Sequence, residues 1–132
     1  MINLEIVTPE KKVVEREVDS VYVPTEKGII GIMPNHAPLI SALRSGVLSY
    51  NVGNESDKMV VSGGFVEISQ NKVSVLADIA ESQADFDLTE AQQEYNETQK
   101  LLGEWKGNEE DFELELERLE KAQARLELAS GK

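Results

Sequence analysis

The chain has one histidine, His36, and no cysteine. An imidazole can act as a general base, a metal ligand or a hydrogen-bonding contact, and the first two roles need partners. Zinc sites usually draw on several histidine or cysteine ligands, which this composition does not supply. A serine activated by His36 would call for a Gly-x-Ser-x-Gly turn, and no serine is framed in that way. Asp85 and Asp87 could form a carboxylate pair, but nothing nearby would push their pKa values apart, so capping and solubility explain them better. Ser62-Gly63-Gly64-Phe65 is too short for a nucleotide fingerprint and reads as a turn between strands. No Gly-x-x-x-x-Gly-Lys-Ser/Thr phosphate loop occurs. The residues that could do chemistry do not assemble into a catalytic set.

His36 nevertheless sits in an unusual stretch, GIIGIMPNHAPLISAL, from Gly28 to Leu43. Pro34 and Pro38 fix their own φ and push the residues before them toward extended backbone. A loop this stiff can present an imidazole to a partner at low entropic cost. It can equally turn a corner between strands, with His36 bonded locally. Both readings stay open on the residues alone.

The elements that must position this loop come in two kinds. Up to about Asp85 the chain reads as short strands separated by turn residues. In INLEIV, the apolar Ile2, Leu4 and Ile6 alternate with Asn3 and Glu5, the period of a half-buried strand. VDSVYVP is expected to stop at Pro24, which has no amide to donate. GVLSYNV, KMVVSGGFVEIS and NKVSVLAD supply further strands, the second expected to break at Gly63-Gly64. Strands at this spacing predict an all-β sandwich or barrel over residues 1–85, and a sandwich of two antiparallel sheets is the expected form because pairing sheets buries both apolar faces.

From Asp87 the period changes to that of a helix. Leu88, Ala91, Tyr95, Thr98, Leu102 and Trp105 form a seam, and Asp87 with Glu90 resembles a capping box. Gly103 and Gly107-Asn108 end the first helix, with Asn108 as the N-cap of the next. Phe112, Leu116, Leu119, Ala122, Leu126 and Ala129 make a second stripe. The expectation is an antiparallel two-helix hairpin over residues 86–132, docked on the sandwich or on a partner because it has little core of its own.

Charge excludes several function classes. The net charge is −12 across 132 residues, which opposes nucleic-acid phosphates and an anionic membrane surface. No apolar run approaches the roughly 20 residues needed to cross a bilayer, so no membrane insertion is expected. Met1–Glu10 lacks the basic-then-apolar pattern of a signal peptide, and the absence of cysteine fits a reducing compartment. Residues 86–132 alone carry a net −7.

The Pro-Asn-His-Ala-Pro-Leu segment, then Gly-Gly-Phe-Val-Glu, then an amphipathic hairpin resembles the epsilon subunit of bacterial and chloroplast F-type ATP synthases. LEIVTPEKKVVEREVDSVYVPTEKG adds the family's opening strands, so the resemblance spans essentially the whole chain. It implies a non-catalytic rotor component without a cofactor or metal. Its partners would be the gamma subunit and the c-subunit ring, with the catalytic alpha and beta subunits within reach of the helices. It would couple proton flow to rotation at the cytoplasmic face of the bacterial cell membrane, and the lack of an N-terminal extension speaks against a mitochondrial precursor. By position in the motif, the resemblance implies that Glu26, Lys27, Gly28 and Ile29 would face the c-ring and His36 would face gamma. The alternative is a free-standing adaptor whose hairpin grips another helical partner.

The helices depart from the family pattern. Some relatives bind ATP through an Ile/Leu-Asp-x-x-Arg-Ala motif. Here Asp87 is retained but Glu90 stands where the arginine would be. A carboxylate beside a triphosphate repels it, so weak or absent ATP binding is expected. A micromolar affinity in calorimetric titration would contradict this. In several relatives, basic residues of the second helix engage the catalytic subunits. Arg118, Lys121 and Arg125 can share a face here, yet eight acids surround them, so weak or conditional inhibition is expected.

Overall fold

The computed structural model describes residues 1–129, so the last three residues of the expected hairpin segment lie outside the described residues. Eight strands come first: β1 (Ile2–Val7), β2 (Lys12–Val18), β3 (Ser20–Thr25), β4 (Gly28–Ile32), β5 (Leu39–Ala42), β6 (Gly46–Val52), β7 (Glu55–Ser69) and β8 (Lys72–Glu81). A single 3₁₀ turn at Gln83–Asp85 leads to helices α1 (Leu88–Gly103) and α2 (Glu109–Ala129).

β7 belongs to both layers of the sandwich. Its first half pairs with β6, which continues to β3 and β4. Its second half lies between β5 and β8, and β8 continues to β1 and β2. Between the halves sit Gly63 and Gly64, both with positive φ (71° and 91°). A side chain at Gly64 would overlap the carbonyl oxygen of Leu76. The two glycines therefore do not end a strand, as their composition suggested. They bend one strand so that it can change sheets, a role glycine fills because it tolerates φ > 0 and close backbone approach.

Three further details differ from the expectation. The ladder is antiparallel except where β1 runs parallel to β8. Pro24 lies within β3, opposite Ile29. It is tolerated because β6 covers only Ser20–Tyr22 of that strand, and the Pro24 carbonyl still accepts the Arg44 amide at 3.1 Å. Strands β2, β4 and β5 are present although no strand over them was singled out in the sequence.

Alternation does place the core where it was expected. Ile2, Leu4 and Ile6 of β1 point inward and are fully buried, meeting Val66, Val73 and Val75 and the inner faces of β3 and β6. Each such side chain is worth about 1.5–3 kcal/mol of burial.

The hairpin is folded against the sandwich, with α2 alone making the main contact to the sheet, at β6 and β7. Ala124 and Leu128 cover Val60, with Val47 and Phe86 around them. This second apolar face of α2 was absent from the predicted stripe. The stripe's own Ala122 is fully buried. In α1, Ala91 and Thr98 are buried but Leu88 is exposed. The Thr98 hydroxyl is satisfied by donating to the Glu94 carbonyl at 2.8 Å, which is how a polar residue fits the seam. Trp105 falls beyond the helix end, in the turn, where it packs edge-on against Phe112 (5.8 Å between centroids).

Candidate functional site

The residues singled out by sequence fall into three separate places. The first is the β3–β4 turn. Thr25 and Gly28 pair across it, leaving Glu26 and Lys27 as a two-residue loop. The buried Thr25 hydroxyl donates to the Gly28 carbonyl (2.7 Å) and accepts from the Lys27 amide (3.2 Å), which holds the turn shut. Gly28 needs φ +106°, a glycine conformation. Ile29 follows with its side chain 72% exposed, a large apolar group held out at a rigid tip.

The second place is the His36 loop, at the other end of β4. Five residues of strand separate the two, roughly 16 Å. Asn35 takes a positive φ (67°), and its amide donates to Asn71 Oδ1 at 2.6 Å in the β7–β8 turn. Asn71 returns a side-chain bond to Asn35 Oδ1 (3.4 Å), and its carbonyl accepts the Asn3 amide (2.8 Å). The proline-bounded loop is thus clasped to the sandwich from 36 residues away. His36 is half-buried, with Nδ1 2.7 Å from the Ala37 carbonyl.

The sheet that continues from this loop through β5 carries a feature outside the sequence expectations. Ile40, Phe65 and Leu76 are 70%, 56% and 50% exposed. Phe65 is opposite Leu76 on β8 and Ala42 on β5, so all three large side chains occupy the outer face of one sheet. The signal was available. Val66 and Ile68 point inward, as do Val73, Val75 and Ala77, which forces Phe65 and Leu76 outward. Large apolar residues grouped on the outward side of alternating strands make an exposed patch of the kind found at interaction sites.

The third place is the hairpin. Asp87 caps α1, accepting from the Thr89 and Glu90 amides (2.7 and 3.2 Å). Glu90 is exposed. Asp85 is also occupied: it accepts the Ser82 amide at 2.8 Å and the Ser82 hydroxyl at 3.0 Å, and these bonds hold its pKa below the usual carboxylate range. Neither aspartate is poised as an acid or base.

The basic residues Arg118 and Arg125 are both engaged by the chain's own glutamates, Arg125 half-buried and Arg118 exposed. Arg125 grips Glu81 of β8 through both carboxylate oxygens (2.8 and 2.9 Å), approaches Glu94 of α1 at 3.6 Å and stacks 5.8 Å from the Phe86 ring. Arg118 bonds Glu94 at 2.9 Å, with Glu115 and Glu97 at 3.6 and 3.9 Å, and the Glu94 carboxylate makes its guanidinium hold its proton more tightly than usual. Lys121 makes no ion pair among the described residues, and it borders a groove with Ser62 and Asp78. From the sandwich, Arg44 forms a matching fork with Glu120 (2.7 and 2.8 Å). Among the described residues, no cluster of three metal-ligating side chains occurs and no helix is long and apolar enough to cross a membrane.

Residues 1–83 match the family model for the β-sandwich domain of the ATP synthase delta/epsilon chain. The chain belongs to that family. It is 44% identical over 104 residues to the ATP synthase epsilon chain of Desulfitobacterium hafniense (strain Y51), a match covering 79% of each chain. With the ATP synthase epsilon chain of Anaeromyxobacter sp. (strain K) it shares 37% identity over 128 residues, 97% of each. A chain of the Euglena gracilis mitochondrial ATP synthase, from its OSCP/F1/c-ring structure, superposes with TM-score 0.81 at 21% identity, covering 98% of this chain and 81% of that one, which shows the same fold. Epsilon chains are non-catalytic subunits, in keeping with a molecule whose carboxylates cap helices and whose arginines bind its own glutamates. The family assignment displaces the free-standing adaptor as the reading of this fold.

Proposed function

We propose that this chain is a central-stalk rotor subunit that couples the turning of a c-subunit ring to a gamma subunit, at the cytoplasmic face of the bacterial cell membrane. One observation carries the reading: the large apolar side chains of Ile40, Phe65 and Leu76, facing outward with Glu67 among them on the sheet that continues from the His36 loop, on a chain of net charge −12. That face and His36 form the gamma contact. Glu26, Lys27, Gly28 and Ile29, at the opposite end of β4, form the c-ring contact. A rigid strand between the two would pass torque from one partner to the other without any chemistry. Residues 1–85 are the docking unit and 86–132 the regulatory one. The hairpin inhibits hydrolysis weakly, because Arg118 and Arg125 are committed to Glu94 and Glu81. ATP binding is weak or absent, since Asp87 serves as a helix cap and Glu90 offers a repelling carboxylate.

The test is binding of the full chain to the gamma subunit of its own complex. Changing Phe65→Glu together with Leu76→Glu, both outward-facing, leaves the circular dichroism spectrum intact and lowers gamma affinity by roughly a hundredfold. Unchanged affinity in the folded variant would overturn the assignment of this face.

A further inference from the structure

The hydrogen bond made by His36 fixes more than the ring's position. Its Nδ1 lies 2.7 Å from the Ala37 carbonyl oxygen. A carbonyl can only accept, so the proton in that bond belongs to Nδ1. In the neutral imidazole the two nitrogens divide their roles, one donating and the other carrying a lone pair. With Nδ1 as the donor, Nε2 is an acceptor. It has no hydrogen-bond partner among the described residues.

The ring is also held still. The His36 amide bonds the Met33 carbonyl (3.3 Å), Asn35 is clasped by Asn71, and Pro34 and Pro38 stiffen both sides. A side chain this constrained loses little further entropy when it meets a partner. The outer face of the sheet that continues from this loop carries Ile40, Phe65 and Leu76, with the Glu67 carboxylate directly opposite Ile40, so an acceptor at Nε2 and an acidic group at Glu67 both call for a donor on the partner.

We propose that His36 is a specificity-determining residue that presents Nε2 as a hydrogen-bond acceptor, and that the partner supplies a donor there: an amide N–H, a hydroxyl, or a lysine or arginine N–H. This rests on the reading of the face as the gamma contact and adds the chemistry that the partner must carry. A partner offering a carboxylate or a bare carbonyl at this point would leave two acceptors facing each other in a desolvated contact, which costs affinity and so discriminates.

Two methylated histidines test the assignment in the full chain. At position 36, Nε2-methylhistidine blocks the proposed acceptor, whereas Nδ1-methylhistidine keeps the Nε2 lone pair, and its methyl, meeting the Ala37 carbonyl, turns the ring out of that bond. The two side chains have the same size. Binding to gamma is measured at about pH 8, above the ordinary imidazole range. The expected result is a loss of roughly tenfold for the Nε2-methyl form and a clearly smaller loss for the Nδ1-methyl form. Equal effects, no effect or the reverse order would overturn the proposal. Nitrogen-15 NMR of the ring in the unbound chain checks the tautomer independently, and a dominant Nε2–H form would overturn it without reference to any partner. The Phe65→Glu, Leu76→Glu variant separates the two levels. If it still binds gamma, the contact face is misassigned; if it does not, while both methylhistidines bind normally, the face stands and the role of His36 falls.

Discussion

Between its sheets the sandwich completely buries Leu4, Ile6, Leu48, Val66 and Val75, whereas the hairpin meets it through Val60, Ala124 and Leu128 and two arginine–glutamate forks. Burial of a large continuous core is non-directional and additive, and it makes the sandwich one cooperative body. A small apolar patch framed by charged hydrogen bonds is specific in geometry but modest in energy. The same chain therefore carries a stiff unit and an attached unit whose hold on it is local.

The largest effect is expected where the stiff unit turns. Gly64→Ala places a methyl against the Leu76 carbonyl at φ +91° and destabilises the whole sandwich by about 3 kcal/mol, seen as a drop of several degrees or more in the thermal midpoint. An unchanged midpoint would mean that β7 does not need this glycine to change sheets.

Arg125→Ala should separate the two units. Losing both bonds to Glu81 weakens the docking of α2 by about 2 kcal/mol. Hydrogen exchange then quickens in α1 and α2 while the amides of β1 and β8 keep their protection. Equal loss of protection throughout would make the chain one cooperative unit and remove the contrast.

The smallest effect concerns activity. Deleting residues 88–132 leaves ATP hydrolysis by the whole complex close to its starting value. A several-fold rise would show that the hairpin inhibits strongly despite its charge.

Periodicity made much of this visible in advance, and its misses have physical causes. β1 and β6 were legible because one face of each is buried, which imposes alternation. The Gly63-Gly64 pair was misread because glycine marks a turn and a bend alike, and only the neighbouring β8 carbonyl distinguishes them. Ala124 and Leu128 lie off the expected stripe because a helix wedged between α1 and a sheet needs two apolar faces, and a single period marks only one. The stiffness of the His36 loop was evident from its prolines. Its clasp by Asn71 was not, because that contact joins residues distant in sequence. The same holds for Glu81 and Glu94, which engage two of the three bases of the expected stripe, Arg125 half-buried and Arg118 at the surface.

The two forks that fasten α2 run in opposite senses: the sandwich offers a cation at Arg44 and an anion at Glu81, and the helix answers with Glu120 and Arg125. Lying five residues apart, the helix members are about 7.5 Å apart along the axis. A helix docked backwards would set Arg125 against Arg44 and Glu120 against Glu81. A helix slipped by one four-residue turn would bring Leu116 to the place of Glu120 and lose one fork, or bring Ala124 and Ala129 to the two places and lose both. The seat is keyed like a polarised plug, so a helix that leaves it can return in only one orientation and at one height.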